Sequence, residues 1–156
     1  MRLALFQPDI PQNVGACIRL SACLGVGLDV IEPCAFRLDD RAMKRAALDY
    51  GPLSHMRVHG DWEQFQRDRQ PGRLVLMTTR AAVPLQRFCF EPGDTLLMGR
   101  ESAGVPDFVH AAADARLVIP MMPGARSMNL ATSAAVATFE ALRQIDRLPA
   151  RAVAAT

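Results

Sequence analysis

Three observations predict an α/β fold with a mostly parallel sheet and helices on both faces. Short β-rich runs alternate with helical ones from end to end. Most helical runs open on a recognisable start signal, and the polar, glycine-bearing stretches follow strands. Alternation of this kind is the signature of crossover connections in a parallel sheet, whose ligands bind beyond the carboxyl ends of the strands.

The elements follow in order. Leu3 to Phe6 is an apolar first strand, and Asn13 is placed as the N-cap of a helix from Val14 to Leu24. Leu28 to Ile31 forms the second strand, then Asp39 or Asp40 caps a helix from Arg41 to Leu48. Met56 to Val58 is a third strand, followed by Asp61 as cap of Trp62 to Arg67, with Gln64 placed three residues on as in a capping box. Strands four and five are Leu74 to Thr78 and Thr95 to Met98, and Pro106 suits the first position of a short helix ending at Ala112. After a sixth strand, Leu117 to Ile119, a long helix runs from about Met128 to Arg147, and the tail from Pro149 to Thr156 is expected to fray. No internal repeat or linker divides residues 1–156, so one domain is expected.

Composition narrows the class. Half of the 156 residues are apolar and 22% are charged, which fits a globular chain and not a disordered one. No apolar run is long enough to span a bilayer, and Gln7-Pro8-Asp9 cuts short the apolar start that resembles a signal core. A cytoplasmic protein without a membrane partner is expected. Net charge is only +2, yet seventeen of the eighteen basic residues are arginine, the side chain suited to forked phosphate contacts. Charge alone does not establish a nucleic-acid partner. Cys17, Cys23, Cys34 and Cys89 form no Cys-x-x-Cys pair and read as buried thiols. His55 and His59 flank a strand with no carboxylate expected nearby, so no metal site is expected.

The loops after strands carry the chemistry. Asn13-x-Gly15-x-x-x-Arg19 follows the first strand, Thr78-Thr79-Arg80 the fourth, Gly99-Arg100-Glu101-Ser102-Ala103-Gly104-Val105-Pro106 the fifth, and Pro120 to Asn129 the sixth. The last three lie consecutively, and one shared pocket is their simplest arrangement. A dinucleotide fingerprint fails, because Gly25-Val26-Gly27 precedes a strand instead of following one, and no P-loop is present. The rival reading is a nucleophile elbow around Ser102, but Arg100 occupies its first glycine position and the only later histidine is His110.

Taken together, N-x-G-x-x-x-R, G-x-E-x-x-G-V-P and I-P-M followed by R-S-M-N-L resemble the three motifs of SPOUT-class (TrmH-type) methyltransferases, within which the minimal TrmL/YibK-like group is most similar. The likeness covers essentially the whole chain, including Ile31-Glu32-Pro33 and Leu48-Asp49-Tyr50. It implies a deep C-terminal trefoil knot, where general rules alone lead to an unknotted sheet. It implies S-adenosylmethionine as cofactor, with adenine between the loops at Met77-Thr78, Gly99 and Ile119-Met121, and Ser127 and Met128 closing the pocket. Gly99 is expected where a side chain would collide with the cofactor, and Glu101 is expected to hold its own loop's amides. Arg19 and Asn129 are the implied catalytic residues, with Asn13 and Arg126 on the RNA.

The reaction implied is 2′-O-methylation of the tRNA wobble nucleotide, cytidine or modified uridine 34, with leucine tRNAs as expected substrates and the anticodon stem-loop as partner; the alternatives are methylation of another tRNA or rRNA site and a non-catalytic RNA-binding protein of the same fold. Arg19 stays protonated, so it is expected to hold phosphate and stabilise alkoxide charge while the proton leaves to phosphate or water. The small residues Ala131, Ser133, Ala134, Ala135 and Ala137 are expected to let the last helix approach other backbone. Phe139 and Ala131 depart from the group's frequent tyrosine and serine. A homodimer through the first and last helices is expected, sensitive to a charge at Leu20 or Ala137.

Overall fold

In the strand Arg2–Phe6 (β1), Leu3 and Leu5 pack on one face and Ala4 and Phe6 on the other, and all five residues are buried. Side chains alternate across a strand, so a strand apolar at every position needs cover on both faces. The computed structural model describes residues 1–38, 41–53, 55–81 and 83–150 and supplies that cover. Its remaining elements are α1 (Pro11–Leu24), β2 (Gly27–Ile31), α2 (Arg41–Ala47), β3 (Met56–His59), α3 (Trp62–Asp68), β4 (Leu74–Met77), β5 (Val83–Pro84), β6 (Thr95–Met98), α4 (Asp107–Ala112), β7 (Ala115–Val118) and α5 (Leu130–Gln144). The sheet order is β3-β2-β1-β6-β4-β7-β5, and each neighbouring pair is parallel.

One core lies between the sheet and α1, α2 and α5, with Val14, Ile18, Met43, Leu130 and Ala137 among its members. The other lies under α3 and α4 and is built on Trp62, Phe65 and Val109. Gly15 sets the distance between α1 and α2, because a methyl group there would stand 2.3 Å from the Met43 carbonyl oxygen. Along α5, Ala134, Ala137 and Ala141 are fully buried. Of the five small residues expected to let the helix pack closely, Ala134 and Ala137 are buried, while Ala131, Ser133 and Ala135 are half-buried.

All six expected strands are present, within one or two residues of their ends. The seventh, β5, has only two residues and ends in proline, which suits the sheet edge where no donor is needed. Asn13 is not an N-cap: α1 begins at Pro11 with Ile10 in the cap position, since proline at the first turn needs no amide partner. Asp39 and Asp40 lie outside the described residues, and Leu48 belongs to a 3₁₀ turn, Leu48–Leu53. Asp61 does cap α3, accepting from Gln64 N–H, while Gln64 accepts from Gly60 N–H at 2.7 Å. Pro106 stands one position before the first helical residue of α4, and α5 starts only after its cap, Asn129. Residues 151–156 of the expected frayed tail lie outside the described residues.

Two expectations about reactive side chains are corrected. His59 does face a carboxylate: its Nε2 lies 2.9 Å from Asp29 Oδ1, and Arg2 donates to the same buried carboxylate. Residues distant in sequence meet there because β1, β2 and β3 are adjacent. Cys23 and Cys89 are exposed, Cys34 is half-buried and only Cys17 is buried. Among the described residues no group of histidine, cysteine and carboxylate side chains is placed to hold a metal ion, and no helix is long and apolar enough to cross a membrane.

Candidate functional site

β4, β6 and β7 lie side by side and parallel, so the loops leaving Met77, Met98 and Val118 emerge at one end of the sheet. They surround a cavity of about 370 Å³. Met77, Thr78 and Thr79 form its wall beyond β4; Gly99, Glu101 and Gly104 form the wall beyond β6. Ile119 and Met121 follow β7, and Ser127, Met128 and Asn129 lead into α5. Asn13 reaches the cavity from α1. The single pocket expected from loop order is therefore present.

A polar chain ties the loop after β6, α1 and the start of α5 together, and its direction is forced. Ionised Glu101 can only accept, so Asn13 presents its Nδ2–H to Glu101 Oε1 at 2.8 Å and its Oδ1 to the next residue. That residue is Asn129, whose Nδ2–H reaches Asn13 Oδ1 at 2.9 Å. Asn129 Oδ1 then accepts the Thr132 backbone N–H at 3.2 Å and caps α5. The loop after β6, α1 and the start of α5 thus share one hydrogen-bond polarity, set by one carboxylate. Asn13 is only 6% exposed, so its side chain acts inside this chain of bonds rather than on an outer surface.

Glu101 does not hold its own loop's amides as expected. Its Oε2 accepts the backbone N–H of Asp9 at 2.9 Å, in the turn between β1 and α1. The negative charge is felt nearby: burial first, and then Glu101, pushes the Cys17 thiol up to about 12. Cys34 is pushed up to about 11 by burial, by Glu32 and by Glu101.

Gly99 is required by the loop itself. A methyl group there would stand 2.7 Å from the carbonyl carbon of Gly104, because Arg100 and Gly104 close a tight pair of backbone bonds at 2.9 and 3.0 Å. Gly104 completes the turn at φ +67°, a conformation that glycine adopts without strain. Ser102 sits at the tip with its hydroxyl donated to Asp9, which is not the serine–histidine contact of an esterase.

The structure does not bring two expected residues to the cavity wall. Arg19 is exposed on α1 with its guanidinium 5.6 Å from the Tyr50 ring centre, and Arg126 is exposed in the loop before α5. Neither lines the cavity of its own chain. Sequence reasoning missed Ile10, Leu130 and Ser133, which do. Ile10 carries no polar signal, but Ser133 lies one helical turn after Asn129 and was legible by that spacing.

A family model described as the SpoU rRNA Methylase family matches residues 1–139. A tRNA (cytidine(34)-2′-O)-methyltransferase of Beijerinckia indica subsp. indica is 51% identical over 148 residues, covering 94% of this chain and 92% of that protein. A solved structure concerned with the 2-OH methylation of C/U34 on tRNA superposes with a TM-score of 0.88 at 41% identity, covering 92% of this chain and 94% of that one. The SpoU methyltransferase AviRb from Streptomyces viridochromogenes, in complex with the cofactor AdoMet, superposes with a TM-score of 0.77 at 27% identity over 92% of this chain and 60% of that chain.

Proposed function

The chain belongs to the SpoU rRNA methylase family, and from that premise we propose that its cavity binds S-adenosylmethionine and serves 2′-O-methylation of the ribose at the tRNA wobble nucleotide, cytidine or uridine 34. The observation that carries this reading is the cavity walled by the loops after β4, β6 and β7, in which the Glu101–Asn13–Asn129 chain ties the β6 loop to α1 and to the start of α5. Family membership also implies the trefoil knot.

The cavity suits the cofactor's chemistry. Leu76, Met77, Val118 and Ile119 offer apolar surface for a flat base, while Thr78, Ser127, Asn129 and Ser133 offer hydrogen bonds. Met77, Thr78, Gly99, Ile119 and Met121 would hold the adenine end, with Ser127 and Met128 closing over it. When bound, S-adenosylmethionine would supply a sulfonium-activated methyl group to a ribose 2′ oxygen, with the neutral thioether S-adenosylhomocysteine as the leaving group.

This chain's residues contribute position and charge. Alignment of reacting atoms is worth on the order of 7–11 kcal/mol, so rigid loops matter more here than a strong base. Asn129 has one amide hydrogen committed to Asn13 and a second to offer into the cavity it lines. Arg19 holds phosphate and stabilises negative charge developing on the 2′ oxygen, with the proton leaving to phosphate or water. Arg126, in the exposed loop beside Ser127, reaches the RNA backbone.

Because Arg19 stands off its own chain's cavity, we place it at a boundary shaped by two protomers. Val136 and Phe139 are 39% and 51% exposed on the outer side of α5, and a homodimer pairing α5 and α1 across a two-fold axis would cover them. The tRNA anticodon stem-loop is the RNA partner, and the working compartment is the cytoplasm.

Calorimetric titration with S-adenosylmethionine, followed by methyl transfer to tRNA and mapping of ribose methylation in a deletion strain, tests the reading. Saturable binding and loss of the position-34 mark, sought first on leucine tRNAs, are expected. No binding at millimolar cofactor would overturn it.

A further inference from the structure

The loop after β6 is also held from its outer side. Asp9, in the turn between β1 and α1, accepts with Oδ2 from the backbone N–H of Ser102 at 3.0 Å and from the Ser102 hydroxyl. Its own backbone N–H is donated back to Glu101 Oε2 at 2.9 Å. Two segments 92 to 93 residues apart therefore exchange bonds in both directions, each using a carboxylate as acceptor. Hydrogen bonds to an ionised acceptor are roughly twice as strong as neutral ones.

The place of these bonds matters. Arg100 and Gly104 close the base of the loop by backbone bonds, and Gly99, Arg100, Glu101 and Gly104 line the cavity while Ser102 stands at the exposed tip. Ordering a residue costs backbone conformational entropy. A tip already ordered in the free protein spares a ligand that cost, which is the physical content of preorganisation.

We propose that Asp9 is a positioning residue for S-adenosylmethionine: by gripping Ser102 it holds the Gly99–Gly104 turn in its binding geometry through Glu101 and the loop backbone. The inference rests on the reading of this cavity as the cofactor site. It assigns Ser102, the residue an esterase would use as nucleophile, to a structural hydrogen bond.

The experiment is a double-mutant cycle on cofactor affinity, read by calorimetric titration with S-adenosylmethionine. Asp9→Ala is expected to raise Kd by about tenfold or more, and Asp9→Asn, which keeps an acceptor oxygen for the Ser102 amide, to recover most of that loss. Ser102→Ala removes only the hydroxyl bond and is expected to raise Kd about two- to threefold. Asp9→Ala combined with Ser102→Ala should bind no worse than Asp9→Ala alone, because both changes remove one contact. The KM for S-adenosylmethionine should rise with these variants while the KM for tRNA stays near wild type.

Wild-type affinity in Asp9→Ala, or fully additive losses in the double variant, would overturn the proposal. If Asp9→Ala does not fold, Asp9→Asn and Ser102→Ala decide it in the same way, coupling supporting it and additivity overturning it. Failure of the wild-type protein to bind the cofactor would instead sink the reading on which the proposal rests, so the two failures are distinguishable.

Discussion

Gly99 follows the last residue of β6, and its missing side chain is required before any ligand arrives. A Cβ would lie 2.7 Å from one backbone atom of Gly104 and 2.9 Å from another, closer than a packed chain tolerates. Gly99→Val should therefore lose cofactor binding and also lower stability by about 1–3 kcal/mol, the usual cost of overpacking. Urea denaturation checks this, and a Gly99→Val protein with wild-type stability would leave the loop clash without effect. The thiols give a second prediction at this scale. Cys17 is buried and its thiol is pushed up to about 12, chiefly by burial, whereas Cys89 is exposed. The thiolate is the reactive form, so a maleimide at neutral pH should label Cys89 rapidly and Cys17 only after unfolding. Peptide mass mapping distinguishes them.

Among the described residues, side-chain capping serves α3 and α5 with different consequences. Asp61 caps α3 at an exposed site with no link to the cavity, accepting from Gln64 N–H. Asp61→Ala is expected to cost about 1 kcal/mol of stability and to leave methyl transfer unchanged. Asn129 caps α5 and also holds Asn13, so Asn129→Ala should lose both the cap and the polar chain, lowering stability by a similar amount and activity much further. Equal activity losses in the two variants would argue against a special role for Asn129. At the other end of α5, hydrogen bonds from Arg143 and Gln144 hold the Glu140 carboxyl down at about 2. Its folded value lies below its ordinary one, so the stabilisation is present above the ordinary value of 4.5 and fades as pH falls toward about 2. An acid titration followed by NMR should show Glu140 keeping its charge well below pH 4.5, and Arg143→Ala should return it toward the ordinary range.

The whole molecule is where Arg19 must be understood. Within one chain it lies against Tyr50 and off the cavity wall, and the proposed two-fold pairing supplies the second surface it needs. A charge at Ala137, expected from sequence to break the dimer, is the wrong probe: Ala137 is fully buried in its own chain's core, so a charge there would unfold the protomer. Leu20 also packs partly against that core. Phe139→Glu, on the exposed side of α5, should instead give a folded monomer with weakened methyl transfer. Sedimentation at micromolar protein, with circular dichroism as the folding check, tests it. A wild-type monomer active at full rate would remove the dimer from the mechanism.

Much of the fold was legible because it is written locally. Continuous apolar runs such as Leu74 to Met77 demand burial on both faces, and Asp61 and Pro106 mark helix starts without reference to distant chain. The cavity loops were legible as well, since they follow strands that a parallel sheet brings to one end. What no local pattern carries is pairing across the chain. Asn13 reads as a helix cap from its neighbours, yet Pro11 takes the helix start and Glu101, 88 residues away, takes the Asn13 side chain. His59 meets Asp29 only because β3 pairs with β2, and Asp9 meets Ser102 only because β1 pairs with β6. The sequence by itself determined the elements and the end of the sheet at which the site would form. Tertiary structure alone decided which polar groups satisfy one another there, because a buried donor takes the acceptor that packing brings within about 3 Å, whatever its distance along the chain.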